Sequence, residues 1–73
     1  MKEKILAIIS EVTKIGVDEL LKKENEPKLW DSLLHVELVI KLEDEFDIFF
    51  EQEEISEMTT VKKIVELIER KSE

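Results

Sequence analysis

The chain of 73 residues contains no cysteine, and this absence excludes several kinds of chemistry. Without thiols it has no disulfide framework, no thiolate metal site and no protein sulfur that would hold a thioester. Glycine and proline are also scarce, with one of each, Gly16 and Pro27. Because these residues interrupt helices, and long periodic stretches are rich in Leu, Ile, Val, Glu and Lys, the composition predicts an all-helical protein.

The chain is also too short to bury a large enclosed active site, so we expect one domain over residues 1–73 that functions at its surface or in a shallow cleft. The apolar run at the amino terminus, Met1–Ile9, is brief, is spaced like one helix face and is followed at once by Ser10 and Glu11. We therefore expect a cytoplasmic protein with no membrane insertion. We also expect the protein to function as a monomer.

Basic residues are nearly missing from the middle of the chain. Residues 31–57 hold ten acidic side chains and one basic side chain, a net charge of −9, whereas the remainder holds nine acidic and ten basic side chains, a net charge of +1. Such an acidic field repels nucleic acid and anionic membranes and steers the protein toward basic partner surfaces. The sequence therefore predicts a protein partner and no nucleic acid.

Helical periodicity divides the chain into segments. The first helix is predicted over residues 3–15, ended by Gly16 as a left-handed cap. Residues 17–30 are interpreted as a long, partly ordered loop, and residues 32–46 form the next helix. The side chains predicted to pin that loop to the core are Leu20, Leu21, Leu29 and Trp30.

A short helix is predicted over residues 52–57, and Thr59 or Thr60 caps a last helix. The apolar stripe of this last helix is Val61, Ile64, Val65 and Ile68. Together these segments predict a small antiparallel four-helix bundle with three long helices and one short third helix.

The predicted helix over residues 32–46 has two distinct faces on a helical wheel. The inward face is Leu38, Val39, Leu42 and Phe46. The other face surrounds a serine with apolar side chains and carboxylates, and consists of Ser32, Leu33, Glu37, Ile40, Glu43 and Asp44. Apolar residues that insert and carboxylates that orient basic groups are typical of a transient docking surface.

Ser32 stands where a loop becomes a helix, and its simplest role is that of a helix cap, which Asp31 could equally fill. A serine hydrolase would need a positioned base and an oxyanion hole, commonly within G-x-S-x-G, yet Ser32 has no neighbouring glycine. His35, the only histidine, is expected to pack or to form a local hydrogen bond. We expect no enzymatic activity and no catalytic residues.

The acidic run also invites comparison with an EF-hand calcium loop. If Asp44 opened such a loop, the third and fifth positions would be Phe46 and Ile48, which have no side-chain oxygen. Phe49 would occupy the position that requires glycine. A true EF-hand is therefore excluded, whereas loose binding of divalent ions at the surface is not, and no metal site is predicted.

Residues 31–39, which read D-S-L followed by V-E-L, closely resemble the attachment region of the acyl carrier protein family. The resemblance continues through residues 42–46 and 58–61, where the chain reads M-T-T-V. It implies that Ser32, beside Asp31, is esterified by the 4'-phosphopantetheine arm of coenzyme A, in a reaction run by a separate phosphopantetheinyl transferase with a divalent metal. The terminal thiol of the arm then carries the cargo as a thioester.

The resemblance implies an acyl carrier for fatty-acid, polyketide or related biosynthesis. Its partners would be the transferase and the ligases or synthases that load the arm, which would use basic patches to contact the acidic positions Glu37, Glu43 and Asp44. Two alternatives stay open at this point. One is an aminoacyl or peptidyl carrier, for example of the D-alanyl type, and the other is an unmodified acidic helical adaptor that binds through Leu33 and Ile40.

Several positions depart from the family pattern. Residues 28–30 read K-L-W where fatty-acid carriers usually have a leucine-glycine pair and a small or apolar residue, Leu34 replaces aspartate or glycine, and Glu51 replaces a common proline. These changes favour a carrier dedicated to another pathway over a carrier of housekeeping fatty-acid synthesis. The connection from Gly16 to Ser32 is also a few residues shorter than usual, and Trp30 either anchors this shortened loop or contacts a specific partner. The side chains that either line a cleft for the attached chain or simply belong to the core are Val36, Phe46, Phe50, Ile55 and Met58.

Overall fold

The computed structural model describes residues 2–72, and the regular structure within that range is entirely helical. The helices are α1 (Lys2–Thr13), α2 (Val17–Lys22), α3 (Ser32–Phe46), α4 (Gln52–Glu57) and α5 (Val61–Lys71). They form a small bundle of 26 × 24 × 19 Å, which confirms the predicted all-helical fold with three longer helices. In the part of the chain that the structure describes, none of these helices is long and apolar enough to cross a bilayer.

The core forms where apolar side chains of the helices meet, with α1 packed against α2, α3 and α5. Leu38, Val39 and Leu42 are buried on α3, as predicted, and Phe46 packs half-buried at the edge of the same cluster. Thr60 caps α5 by accepting a hydrogen bond from the Lys63 backbone N–H at 3.1 Å. The predicted stripe of α5 is also buried: Val61, Ile64, Val65 and Ile68.

The end of α1 differs from the prediction. The helix stops at Thr13, whose hydroxyl donates to the Ile9 carbonyl at 2.7 Å and accepts from the Ile15 N–H at 3.3 Å. Lys14, at φ 65°, takes the left-handed conformation, while Gly16 is extended at φ −63° and precedes α2. The prediction that Gly16 is the left-handed cap was therefore wrong, because the threonine ends the helix two residues earlier.

The interpretation of residues 17–30 as a loop was wrong for its first six residues, which form α2. The acidic pair Asp18 and Glu19 lies in the first turn, where negative charge stabilises a helix, and Glu19 pairs with Lys23 one turn later at 2.9 Å. Leu20 is fully buried, whereas Leu21 remains exposed. Residues 2–72 thus contain a fifth, short helix ahead of α3.

The short helix α4 is tied to the bundle by its acidic first turn. Glu54 accepts a hydrogen bond from the Glu51 backbone N–H at 2.8 Å and pairs with Lys71 at the end of α5 at 2.9 Å. Lys71 also lies 5.8 Å from the centroid of the Phe50 ring. Two contacts hold the pKa of Glu54 below its ordinary value. The larger effect comes from the Glu51 N–H and the smaller from the Lys71 ammonium.

A carboxyl group whose pKa is lowered by folding stabilises the native state above its ordinary pKa and loses that effect as pH falls through the lowered value. We therefore expect the free energy of unfolding to fall as the pH drops below the ordinary pKa of glutamate, 4.5, and to fall less in Glu54→Gln. Urea titrations at several pH values measure this. The matched control is Glu53→Gln on the same helix, whose side chain is exposed; equal pH dependence in all three proteins would contradict the assignment.

Candidate functional site

Ser32 is the first residue of α3, and the residue before it provides the cap. Asp31 is extended (φ −82°, ψ 176°), and its Oδ1 accepts a hydrogen bond from the Leu34 backbone N–H at 2.9 Å. The sequence allowed either residue to be the cap, and the structure assigns that role to Asp31. Ser32 is exposed, and within residues 2–72 its hydroxyl has no hydrogen-bond partner. The serine is therefore positioned by a helix, and its hydroxyl is accessible to solvent.

An open cleft of about 450 Å³ begins at Ser32 and runs between the start of α3 and α4. A polar cleft of about 500 Å³ lies elsewhere, between Pro27 and the first turns of α5, and does not include Ser32. We take the cleft at Ser32 as the candidate site because it alone of these two contains the exposed hydroxyl of that serine. Its main side chains are Lys28, Trp30, His35, Val36, Ile55 and Met58.

The wall of this cleft is built by Trp30 and His35, whose rings are nearly parallel at 17° with centroids 6.3 Å apart. The indole Nε1–H donates to His35 Nδ1 at 3.1 Å. Since an indole nitrogen only donates, Nδ1 must be the unprotonated nitrogen, and Nε2 carries the proton of the neutral ring. His35 Nε2 then donates to the Ile55 carbonyl at 3.3 Å and so links α3 to α4.

The cleft contains three of the five side chains that the sequence proposed for it. Val36, Ile55 and Met58 line it. Phe50 is instead a core residue, 2% exposed, and Phe46 packs against the core beneath α1. The two phenylalanines therefore support the bundle and do not line the cleft.

The outward face of α3 extends from the serine. Leu33 and Ile40 are 76% and 60% exposed, which is unusual for large apolar residues, and Glu37 and Asp44 are exposed beside them. Glu43 differs from these four because it is half-buried and its Oε2 accepts from the Phe50 backbone N–H at 2.8 Å. All five predicted positions therefore lie on α3, and Glu43 also makes a structural hydrogen bond.

The sequence did not predict the Trp30–His35 pair. Trp30 was interpreted as a loop anchor or a partner contact, and it is indeed half-buried against the core. Its contact with His35 spans five residues, and the link from His35 to Ile55 spans twenty. The only signals of the Trp30–His35 pair in the sequence are a tryptophan next to D-S and a histidine on the next helical turn. The hydrogen bond from His35 to Ile55 of α4 has no signal in the sequence.

Comparison with known proteins gives the family. The chain is 34% identical to the acyl carrier protein of Buchnera aphidicola subsp. Schizaphis graminum over 74 aligned positions, which cover 99% of this chain and 94% of that protein. It belongs to the acyl carrier protein family. Acyl carrier proteins of Buchnera aphidicola subsp. Acyrthosiphon pisum are 45% identical over 42 positions, 58% of this chain and 52% of theirs.

No protein-family model matches the chain. The alignment to an acyl carrier protein over nearly the full length nevertheless confirms the resemblance seen in residues 31–39. It also confirms that the chain is a carrier and not an enzyme. Membership of the acyl carrier protein family also implies attachment of phosphopantetheine, for which an exposed serine at a helix start is a suitable acceptor.

Proposed function

We propose that this protein carries acyl intermediates as thioesters on a 4'-phosphopantetheine arm attached to Ser32. The observation that carries the proposal is the exposed Ser32 hydroxyl at the first residue of α3, left free because Asp31 supplies the cap. A separate transferase supplies the base that takes the serine proton. The Ser32 oxygen then attacks phosphorus in the diphosphate of coenzyme A, and the nucleotide part leaves.

The surroundings of Ser32 fit the phosphodiester that this reaction creates. The first turn of a helix has unpaired N–H groups and a positive partial charge, so an anion there is favoured by up to about 1 kcal/mol at an exposed site. Lys28 lines the same cleft and is the one lysine or arginine among its lining residues. Asp31 already accepts from the Leu34 N–H, and we propose that its second oxygen assists the metal of the transferase.

The experiment that tests the proposal is incubation of the unmodified protein with coenzyme A, magnesium and a broad-specificity phosphopantetheinyl transferase. The intact mass is expected to rise by one phosphopantetheine arm. Circular dichroism recorded on the same sample shows that the acceptor is folded. A folded protein that gains no mass would contradict the proposal.

We propose further that the exposed face of α3 docks the transferase and the enzymes that load and unload the arm. Leu33 and Ile40 provide apolar anchors, and Glu37 and Asp44 provide charges for a basic partner surface. Glu43 contributes through Oε1, because its Oε2 is held by the Phe50 N–H. The face begins at Ser32, so a partner bound to it lies next to the attachment site.

Charge reversal on this face is expected to slow modification. In the double variant Glu37→Lys and Asp44→Lys, we expect kcat/KM of a transferase with a basic docking patch to fall about tenfold or more, mostly through slower association. The matched control reverses two exposed carboxylates of α5, Glu66→Lys and Glu69→Lys, which changes the net charge equally. Equal losses in both double variants would mean that only the net charge matters and would contradict a docking face on α3.

A further inference from the structure

The cleft at Ser32 has a closed floor. Met58, which lines it, is 1% exposed and belongs to the packed core together with Leu38 and Phe50. The hydrogen bond from His35 Nε2 to the Ile55 carbonyl joins α3 to α4 at this cleft, and both residues line it. A group that enters from Ser32 therefore meets a filled core and a bridge between two helices.

The bridge is itself held in place from the other side. Trp30 donates to Nδ1 of the same ring, so displacing His35 breaks two hydrogen bonds at once and leaves a carbonyl and an indole N–H without partners. With all three ring nitrogens engaged, the two rings offer no free nitrogen to a molecule in the cleft. The wall is thus fixed by two hydrogen bonds, and its ring nitrogens are not available to bind another group.

We propose that Trp30 and His35 determine specificity by keeping the tethered cargo at the surface, so that this carrier takes short or polar acyl groups and not long alkyl chains that need burial. This inference rests on the proposed attachment of the arm to Ser32, which lies at the edge of the same cleft. The arm lies in the open cleft along the Trp30–His35 wall, and the thioester at its end stays accessible to water.

The physical reason is the dependence of burial on chain length. Each methylene removed from water changes an equilibrium constant about fourfold, so a chain threaded into the bundle is held more strongly the longer it is. Here a long chain gains that burial only after His35 has left Ile55. While the bridge holds, added methylenes stay in water, and the exposure of the thioester does not change with chain length.

The test loads butyryl, octanoyl and dodecanoyl groups onto the protein by transfer from the corresponding acyl coenzyme A. Intact mass first confirms loading, so that failure of the arm attachment is distinguished from failure of this inference. Hydroxylamine then cleaves the thioester, and its rate measures exposure. In the native sequence we expect the three rates to agree within about twofold. Rates that fall about tenfold or more from butyryl to dodecanoyl would overturn the inference.

Two variants separate the bridge from general packing. In His35→Ala the bridge is absent, and we expect the rate to fall with chain length by about tenfold or more. In His35→Gln the amide oxygen can accept from Trp30 and the amide nitrogen can donate to Ile55, so the rates are expected to stay flat. A rate that is independent of chain length in His35→Ala as well would show that the bridge does not set specificity.

A second measurement on the native sequence keeps the inference testable if His35→Ala does not fold. Trp30 is the only tryptophan, so its fluorescence reports on the wall alone. We expect its emission to change when the arm is attached and then to stay the same from butyryl to dodecanoyl. Emission that keeps shifting as the chain lengthens would mean that the chain displaces the wall, and would overturn the inference.

Discussion

Replacing Ser32 with alanine is expected to abolish attachment of the arm completely, because in the proposed reaction the serine oxygen forms the new bond and alanine has no oxygen to replace it. The substitution leaves the Asp31 cap intact and places a good helix former at the first helical position, so the fold is expected to persist. The measurement is the intact mass after incubation with coenzyme A and the transferase, with circular dichroism to show that the variant is folded.

The matched control is Ser56→Ala. Ser56 is an exposed serine that lines the same cleft from the α4 side, and its hydroxyl donates to the Gln52 carbonyl at 3.2 Å. It starts no long helix and lies outside the D-S-L motif, so its removal is expected to leave modification unchanged. A mass gain that survives in Ser32→Ala but disappears in Ser56→Ala would move the attachment site across the cleft.

Replacing Leu38 with alanine is expected to cost about 2–5 kcal/mol in the free energy of unfolding. Leu38 is fully buried on α3, and its deletion leaves a cavity in the core that the surrounding side chains fill only in part. Small domains have about 0.05–0.15 kcal/mol of stability per residue, so this loss is a large fraction of the total. Urea unfolding followed by circular dichroism measures it.

Ile40→Ala, two residues further along α3, is the control for this prediction. Ile40 is 60% exposed, and we expect its loss to change stability by about 0.5 kcal/mol or less. Because Ile40 belongs to the proposed docking face, Ile40→Ala is expected to be modified more slowly while remaining fully folded. If Ile40→Ala were as destabilised as Leu38→Ala, the assignment of the two faces of α3 would be wrong.

The parts of the fold that the sequence predicted are those fixed by long periodic patterns. α3 was predicted with its observed bounds because fifteen residues with a consistent apolar face follow a capping aspartate. α2 was missed because six residues with one buried leucine carry too little periodicity to be distinguished from a loop. At the end of α1, a general preference for glycine was outweighed by the hydrogen bonds of Thr13, which placed Lys14 in the left-handed conformation.

The features of the site also differ in whether the sequence could predict them. The exposure of Ser32 and the outward positions of Leu33 and Ile40 follow from local helix geometry, so the sequence could predict them. The contact of Glu43 with the Phe50 N–H and the bridge from His35 to Ile55 depend on how the chain turns back after α3. Such contacts join residues distant in sequence, and no local pattern encodes them.

The most direct test of the central claim is fragmentation mass spectrometry on the protein purified from its native cells. The chain has four serines, Ser10, Ser32, Ser56 and Ser72, so the fragments identify the modified residue without ambiguity. We predict one phosphopantetheine arm on Ser32. An arm on any of the other three serines, or a native protein that carries none, would contradict the account.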